Sequence, residues 1–287
     1  MRKHLTTIII IVMFIVGLSV LLYPAVSNYI NQKHASRVIS EYNDKSEKMR
    51  NDEIEKIFAK AQDYNRRLEK EPGGFYNPAR VSGYSETLDI SGTGIMGYVD
   101  IDRIGVELPI YHTVDDSVLS IGAGHLEGTS LPVGGESTHC VLSGHRGLPS
   151  AKLFTDLDEL EQGDEFTITV LNKKLTYRID QIKTVLPTET DDLQIVKGKD
   201  YCTLMTCTPY GINSHRLILR GVRIETAEEK PGVFVKNEAF VIDPLVVTPI
   251  VAMPMLVIVL VFVIVKDRRA KKKNDLAKEA SDSEETQ

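Results

Sequence analysis

The chain has 287 residues, with 34 Lys and Arg against 40 Asp and Glu, a formal net charge of −6 and three cysteines. Over residues 31–240 the balance is 25 basic against 33 acidic side chains, which argues against a nucleic-acid binder and against a surface drawn to anionic lipid. About 210 residues in that stretch suit one compact domain plus a stalk.

The first element in chain order is apolar. Residues 5–26 run for 22 positions without a charge, behind Arg2 and Lys3. At about 1.5 Å per residue the run spans roughly 33 Å, enough for a bilayer core. A basic start and an apolar centre fit either an uncleaved anchor or a signal peptide cut near Tyr23-Pro24-Ala25.

An amphipathic helix follows. Ile54, Ile57, Phe58, Ala61, Tyr64 or Asn65, and Leu68 recur at spacings of three and four with charges between them, and the pattern stops before Pro72-Gly73-Gly74. Such a helix lays its apolar face on the domain.

Beyond a polar, Gly-rich stretch at 73–94 the pattern changes to period two or to short apolar runs. Strands are predicted at 95–101, 106–111, 139–142, 165–171, 174–181, 201–207 and 216–224. Phe166, Ile168 and Val170 alternate with Thr167 and Thr169, and Leu175, Tyr177 and Ile179 repeat the alternation beyond Asn172-Lys173, a hairpin signature. Seven or eight short strands in about 130 residues predict a mainly β domain closed into a barrel.

Residues 244–265 form a second uncharged run of 22, and six of the next eight residues are basic. Basic residues flank the outer end of both apolar runs, so the positive-inside rule puts both termini in the cytoplasm and the domain between them outside. Residues 274–287 are polar and read as a solvated tail.

Three cysteines in an exported chain is an odd number, which flags an intermolecular bridge or a free functional thiol. In a strand at 201–207, Cys202 and Cys207 lie five residues and roughly 16 Å apart on opposite faces and cannot pair. A bridge between Cys140 and Cys202 and a pair of buried free thiols both remain open on the sequence.

Cys207 ends its strand, and the loop 208–215, with Pro209, Gly211 and Asn213, returns the chain so that Arg216 folds back beside it. His145 sits just past the strand at 139–142. A thiol, an imidazole to move protons and a guanidinium to donate to a developing oxyanion are the minimum set for acyl transfer. Each also has a plainer reading, as a core cysteine, a surface histidine and an edge arginine. A zinc site drawn from His139, Cys140, His145, Cys207 or His215 lacks any close Cys-x-x-Cys or His-x-x-x-His pair. Asp115, Asp116 and Glu127 are loop carboxylates that read as solvated or as calcium ligands, and His112, His125 and His215 read as structural or exposed.

Several separated motifs agree in order with one known family. Ser143-Gly144-His145-Arg146-Gly147, Lys152-Leu153-Phe154-Thr155-Asp156-Leu157, Thr203-Leu204-Met205-Thr206-Cys207-Thr208-Pro209-Tyr210-Gly211 and His215-Arg216-Leu217 together resemble the sortase family over about residues 94–224. The resemblance is closest to its class C, pilus-assembling branch, which the second apolar run and its basic tail also resemble. It implies a cysteine transpeptidase of a Gram-positive cell surface without a cofactor, with Cys207 as nucleophile, His145 as general acid and base, and Arg216 as stabiliser of the substrate carbonyl and oxyanion. It further implies a Leu-Pro-x-Thr-Gly-like sorting signal cleaved after Thr, a thioester intermediate, and capture by a lysine amine of another pilin subunit.

Two alternatives stand beside this: an enzyme that anchors surface proteins to cell-wall peptide amines, and a non-catalytic, membrane-tethered binding module on the same fold. Class C members usually carry a lid whose Asp-Pro-aromatic motif covers the cysteine. No such triplet occurs over 72–95; Asn77-Pro78-Ala79 is the nearest, just behind Phe75 and Tyr76. The expected organisation is an anchor or signal at 1–30, a helical stalk and lid segment at 31–93, the barrel at 94–226, a linker at 227–243, a second membrane helix at 244–265 and a cytoplasmic tail at 266–287.

Overall fold

The alternating strands close into an eight-stranded barrel in the computed structural model, which describes residues 2–226 and six isolated helical positions between 254 and 269. The expected linker, second membrane helix and tail lie outside the described residues apart from those six positions. The strands are β1 Ile95–Ile101, β2 Val106–His112, β3 Ala123–His125, β4 Thr138–Ser143, β5 Glu165–Val170, β6 Lys173–Val185, β7 Asp200–Thr208 and β8 His215–Ile224. Around the barrel the order is β1-β2-β3-β4-β7-β8-β6-β5, with β5 pairing back onto β1. Neighbours are antiparallel except β2 with β3 and β4 with β7, which run parallel.

Alternation decides which side chains fill this barrel. Cys140 and Leu142 of β4, Cys202 and Leu204 of β7, and Leu217 and Leu219 of β8 belong to the main core. The opposite face of the same strands carries a second, smaller apolar cluster around Val141, Leu193 and Ile218. On β5 and β6, Phe166 and Tyr177 are cross-strand partners whose rings stack at 5.6 Å, the kind of pair that fixes hairpin register. Two elements depart from the expected pattern. β3 is only three residues long, too short to display a period, and β6 continues past a register shift between Ile179 and Gln181 to Val185, where its side chains are no longer alternately buried.

Two long helices precede the barrel, α1 Arg2–Glu47 and α2 Asn51–Lys70. Among the described residues α1 is the one helix long and apolar enough to cross a membrane. Its latter part changes character and belongs to the compact unit Asn28–Val233. There Ala35, Ile39 and Tyr42 are buried at helical spacing. The Tyr42 hydroxyl donates to the Met96 carbonyl at 2.9 Å and accepts from the Leu171 amide at 2.9 Å, tying the helix to both β1 and the turn after β5. This stripe is too poor in large apolar side chains to stand out in the sequence.

α2 is the helix that the spacing predicts, with Ile54, Phe58, Ala61, Tyr64, Asn65 and Leu68 buried. Burying Ile54, Phe58 and Leu68 is worth roughly 1.5–3 kcal/mol each. Asn65 adds direction: its amide donates to the Leu131 carbonyl at 3.2 Å and accepts from the Leu131 amide at 2.7 Å.

Candidate active site

Parallel pairing brings the expected acid and nucleophile together. Ser143 of β4 and Met205 of β7 are Cα partners, and His145 and Cys207 each lie two residues further along, so they emerge side by side where two neighbouring strands run out. The Gly144 amide donates to the Met205 carbonyl at 3.0 Å, and the Thr206 hydroxyl donates to the Gly144 carbonyl at 2.8 Å. These bonds fix the two strand ends just before His145 and Cys207.

The third member comes from the antiparallel neighbour. Cys207 and Arg216 are direct partners in the β7–β8 ladder, so both project from the same face. That face carries Val141, Met205 and Ile218, outside the barrel. Cys207, His145 and Arg216 are all partly exposed, as groups that must meet a substrate need to be. Arg216 donates from one guanidinium nitrogen to the carbonyls of Asn213 at 3.2 Å and His215 at 3.1 Å, which orients it while leaving further N–H donors for a ligand oxygen. The structure thus brings the three predicted residues to one rim.

The rim is closed between the loops after β4 and β7. Gly147 has φ +75, and a Cβ there would meet the Tyr210 ring at 2.8 Å, so glycine is required both by conformation and by space.

The segment before β1 lies across the same face. Phe75 packs with Leu126, Val185 and Met205 around Val141, Leu193 and Ile218. Its backbone rests on Gly128, which has φ +84 and where a Cβ would meet the Phe75 carbonyl oxygen at 2.5 Å. Tyr76 stacks edge-on against Phe75 at 5.1 Å and its hydroxyl meets that of Thr190 at 3.2 Å. Met205, another member of this cluster, is the residue two before Cys207 on the same face of β7. Asn77-Pro78-Ala79, the nearest motif in the sequence, instead enters a short 3₁₀ turn at Pro78–Arg80 with no buried residue. The only sequence signal for Phe75 is an aromatic pair within a Gly- and Pro-rich stretch.

Five of the remaining candidates are used structurally. His125 is sealed in the core between the Tyr84 hydroxyl at 3.0 Å and the Ser130 carbonyl at 2.8 Å. His112 faces the carbonyls of Gly94, Tyr84 and Thr87. His139 lies between the Gln194 carbonyl and the Thr203 hydroxyl, and burial pulls its imidazole down to about 4. Cys140 and Cys202 are cross-strand partners and both are free, fully enclosed thiols; burial pushes the Cys202 thiol well up. Among the described residues no group of three or more His, Cys, Asp or Glu side chains is arranged to hold a metal ion.

Comparison with known proteins bears on the fold and the family. Residues 99–224 match the sortase domain. Sortase D of Bacillus subtilis is 32% identical over 131 residues, which is 45% of this chain and 63% of that one. Sortase A of Streptococcus agalactiae is 31% identical over 117 residues, 40% of this chain and 47% of its own. The aligned region therefore spans less than two thirds of either curated relative. Solved structures match further. Sortase C1 of Streptococcus agalactiae gives a TM-score of 0.61 at 46% identity over 67% of this chain and 100% of that one. Sortase C of Streptococcus pneumoniae gives 0.61 at 44% over 66% and 97%. Sortase C of Clostridium perfringens, solved with a C-terminal cell wall sorting motif, gives 0.59 at 42% over 67% and 100%. A chain that spans the whole of a solved class C enzyme at such identity, with the domain match running through its barrel, belongs to the sortase family.

Proposed function

We propose that this chain is a membrane-tethered cysteine transpeptidase that joins pilin subunits. The observation that carries the reading is the pairing of Cys207 with Arg216 across β7 and β8 while His145 emerges from the parallel neighbour. The Cys207 thiol passes its proton to His145 as its sulfur attacks the threonine carbonyl of a Leu-Pro-x-Thr-Gly-like signal. The carbonyl electron pair moves onto oxygen, where Arg216 donates N–H bonds. Collapse breaks the Thr–Gly bond, and His145 protonates the departing amine. The thioester keeps enough reactivity for capture by an amine. A pilin lysine then attacks, its proton passes to His145, and the Cys207 sulfur leaves and takes that proton back, completing an isopeptide bond.

Phe75 and Tyr76 act as the lid over this face, in place of an Asp-Pro-aromatic anchor. The apolar part of α1 anchors the chain, and the second apolar run with its basic flank completes a hairpin that holds the barrel outside the cell. The test uses the full chain in detergent micelles with a peptide containing Leu-Pro-x-Thr-Gly, read by intact mass. An acyl adduct on the wild type and none on Cys207→Ala is the expected result, and a lysine peptide should then release it as a longer product. Absence of any adduct on the wild type would replace the enzyme with a binding module, and release only by a cell-wall peptide amine would make it an anchoring enzyme.

A further inference from the structure

The residue after His145 has no part in the scheme above, yet its side chain is largely buried. Arg146 exposes only 11% of its side chain, unusual for an arginine unless it is paired. One terminal nitrogen forms a short ion pair with the Asp158 carboxylate, and the other donates to the Thr208 hydroxyl at 3.5 Å. Its Nε is buried and has no partner among the described residues.

The partners are informative. Thr208 directly follows Cys207 and closes β7, so alternation points it to the opposite face from the thiol. Asp158 stands in a short 3₁₀ turn, Leu157–Glu159, set on the fully buried Phe154 and Leu157. One guanidinium thus joins the neighbour of the acid, the neighbour of the nucleophile and a rigid base. Backbone bonds hold the chain before His145 and return it at Phe154, whose amide donates to the His145 carbonyl at 3.1 Å. Between them, residues 145–147 have no regular structure.

Stability alone gives this arrangement little reason to exist. A charge pair with one partner buried and the other half exposed contributes little net free energy, and the orphaned Nε adds a cost. We propose that Arg146 is a positioning residue: from behind β7 it clamps the His145 loop to the strand end that carries Cys207. This rests on the assignment of His145 and Cys207 as the reacting pair. The guanidinium itself does not touch the reacting atoms.

Arg146→Met is the informative variant, because it keeps the buried stem and leaves behind Asp158, which is half exposed and can be hydrated. A misplacement of about 1 Å costs up to about a hundredfold in rate. The full chain carrying Arg146→Met is expected to form the peptide adduct roughly 10- to 100-fold more slowly at saturating peptide, with half-saturation and melting temperature nearly unchanged. The pH dependence of Cys207 alkylation by a small neutral reagent should shift towards that of His145→Ala. Arg146→Lys should recover only part of the rate, since an ammonium cannot fork between Asp158 and Thr208. Thr208→Val, which removes the weaker tie without touching a charge, should move both readouts in the same direction by a smaller factor, and it stands as the test if Arg146→Met does not fold. Wild-type rate and wild-type alkylation profile in the folded variant would overturn the proposal, as would a slower rate with an unaltered profile and a lowered melting temperature. The alkylation comparison needs no substrate, so it judges the clamp even if the wild type yields no adduct and the transpeptidase reading falls.

Discussion

Cys202 and Cys207 stand five residues apart on one strand and have opposite fates. Cys202 points into the barrel, fully enclosed beside Cys140, and burial pushes its thiol well up. Cys207 points to the outer face where β7 ends, with Arg216 across the ladder and His145 at the adjoining strand end. The side chain and the strand are the same. What differs is parity along the strand and distance from its end, and these decide whether a thiol is sealed in the core or presented at the rim beside an arginine and a histidine.

The largest effects should separate the two thiols completely. Cys207→Ala is expected to abolish the acyl adduct while leaving the urea unfolding midpoint in place. Cys202→Ala should keep the adduct and lose about 1–2 kcal/mol of stability through the small cavity it opens in the core. Adduct formation by Cys207→Ala, or its loss in a folded Cys202→Ala, would erase the distinction. Next in size, Arg216→Lys should slow adduct formation by about 10²–10³-fold, the usual cost of losing an oxyanion donor, since an ammonium on a flexible stem does not reproduce the guanidinium fork. Single-turnover mass measurements check it; a rate within twofold of wild type would remove Arg216 from the chemistry.

Much of this contrast was legible before the fold was known. Two-residue periodicity marked seven strands and put Cys202 and Cys207 on opposite faces, and the ladder then paired Cys207 with Arg216 as the loop length implied. The parallel contact of β4 with β7, which brings His145 alongside, has no local signature, because β5 and β6 intervene in the chain and only closure of the barrel joins those two strands. A position just past a strand made His145 a candidate, and the resemblance to a family then implied its role. Phe75 and the Arg146 pairing were hidden for another reason. A half-buried aromatic in a Gly-rich stretch and a basic residue in a loop are common on surfaces, and only the three-dimensional neighbours distinguish them.

Burial also perturbs groups that have no chemistry to perform. Asp100 on β1 faces Glu107 across the β1–β2 ladder, and burial, with Asp102 and Glu107 adding to it, pushes its carboxyl up to about 6. The unfolded chain gives up this proton near pH 4 and the folded chain near pH 6, so stability present at low pH is lost as pH rises through that window. Asp100→Asn should therefore stabilise the protein by about 1–2 kcal/mol above pH 6, allowing for partial solvent screening. The advantage should shrink to nothing near pH 4, with adduct formation at pH 7 unchanged. Urea midpoints from pH 4 to 8 decide it, and a pH-independent difference between variant and wild type would show that the carboxyl is not held protonated.

The smallest predicted effect concerns what shields each thiol. Cys202 is covered by the barrel itself, so reagents reach it only when the barrel opens. In the proposed reading Cys207 is covered by the segment that crosses the outer face, held there by the half-buried Phe75 ring, by its backbone on Gly128 and by the hydroxyl contact from Tyr76 to Thr190. Removing the whole of 73–88 would test that cover poorly, because Tyr84 and Leu88 are buried and the Tyr84 hydroxyl is bonded to His125 in the core. Phe75→Ala touches only the outer contact. If the ring contributes about 1 kcal/mol to docking, its loss should raise the rate of Cys207 alkylation about fivefold and leave Cys202 and Cys140 unreactive. An unchanged rate at Cys207 would mean that the segment rests on the apolar cluster without guarding the thiol. A parallel rise at Cys202 would mean that Phe75 supports the barrel rather than closing the site.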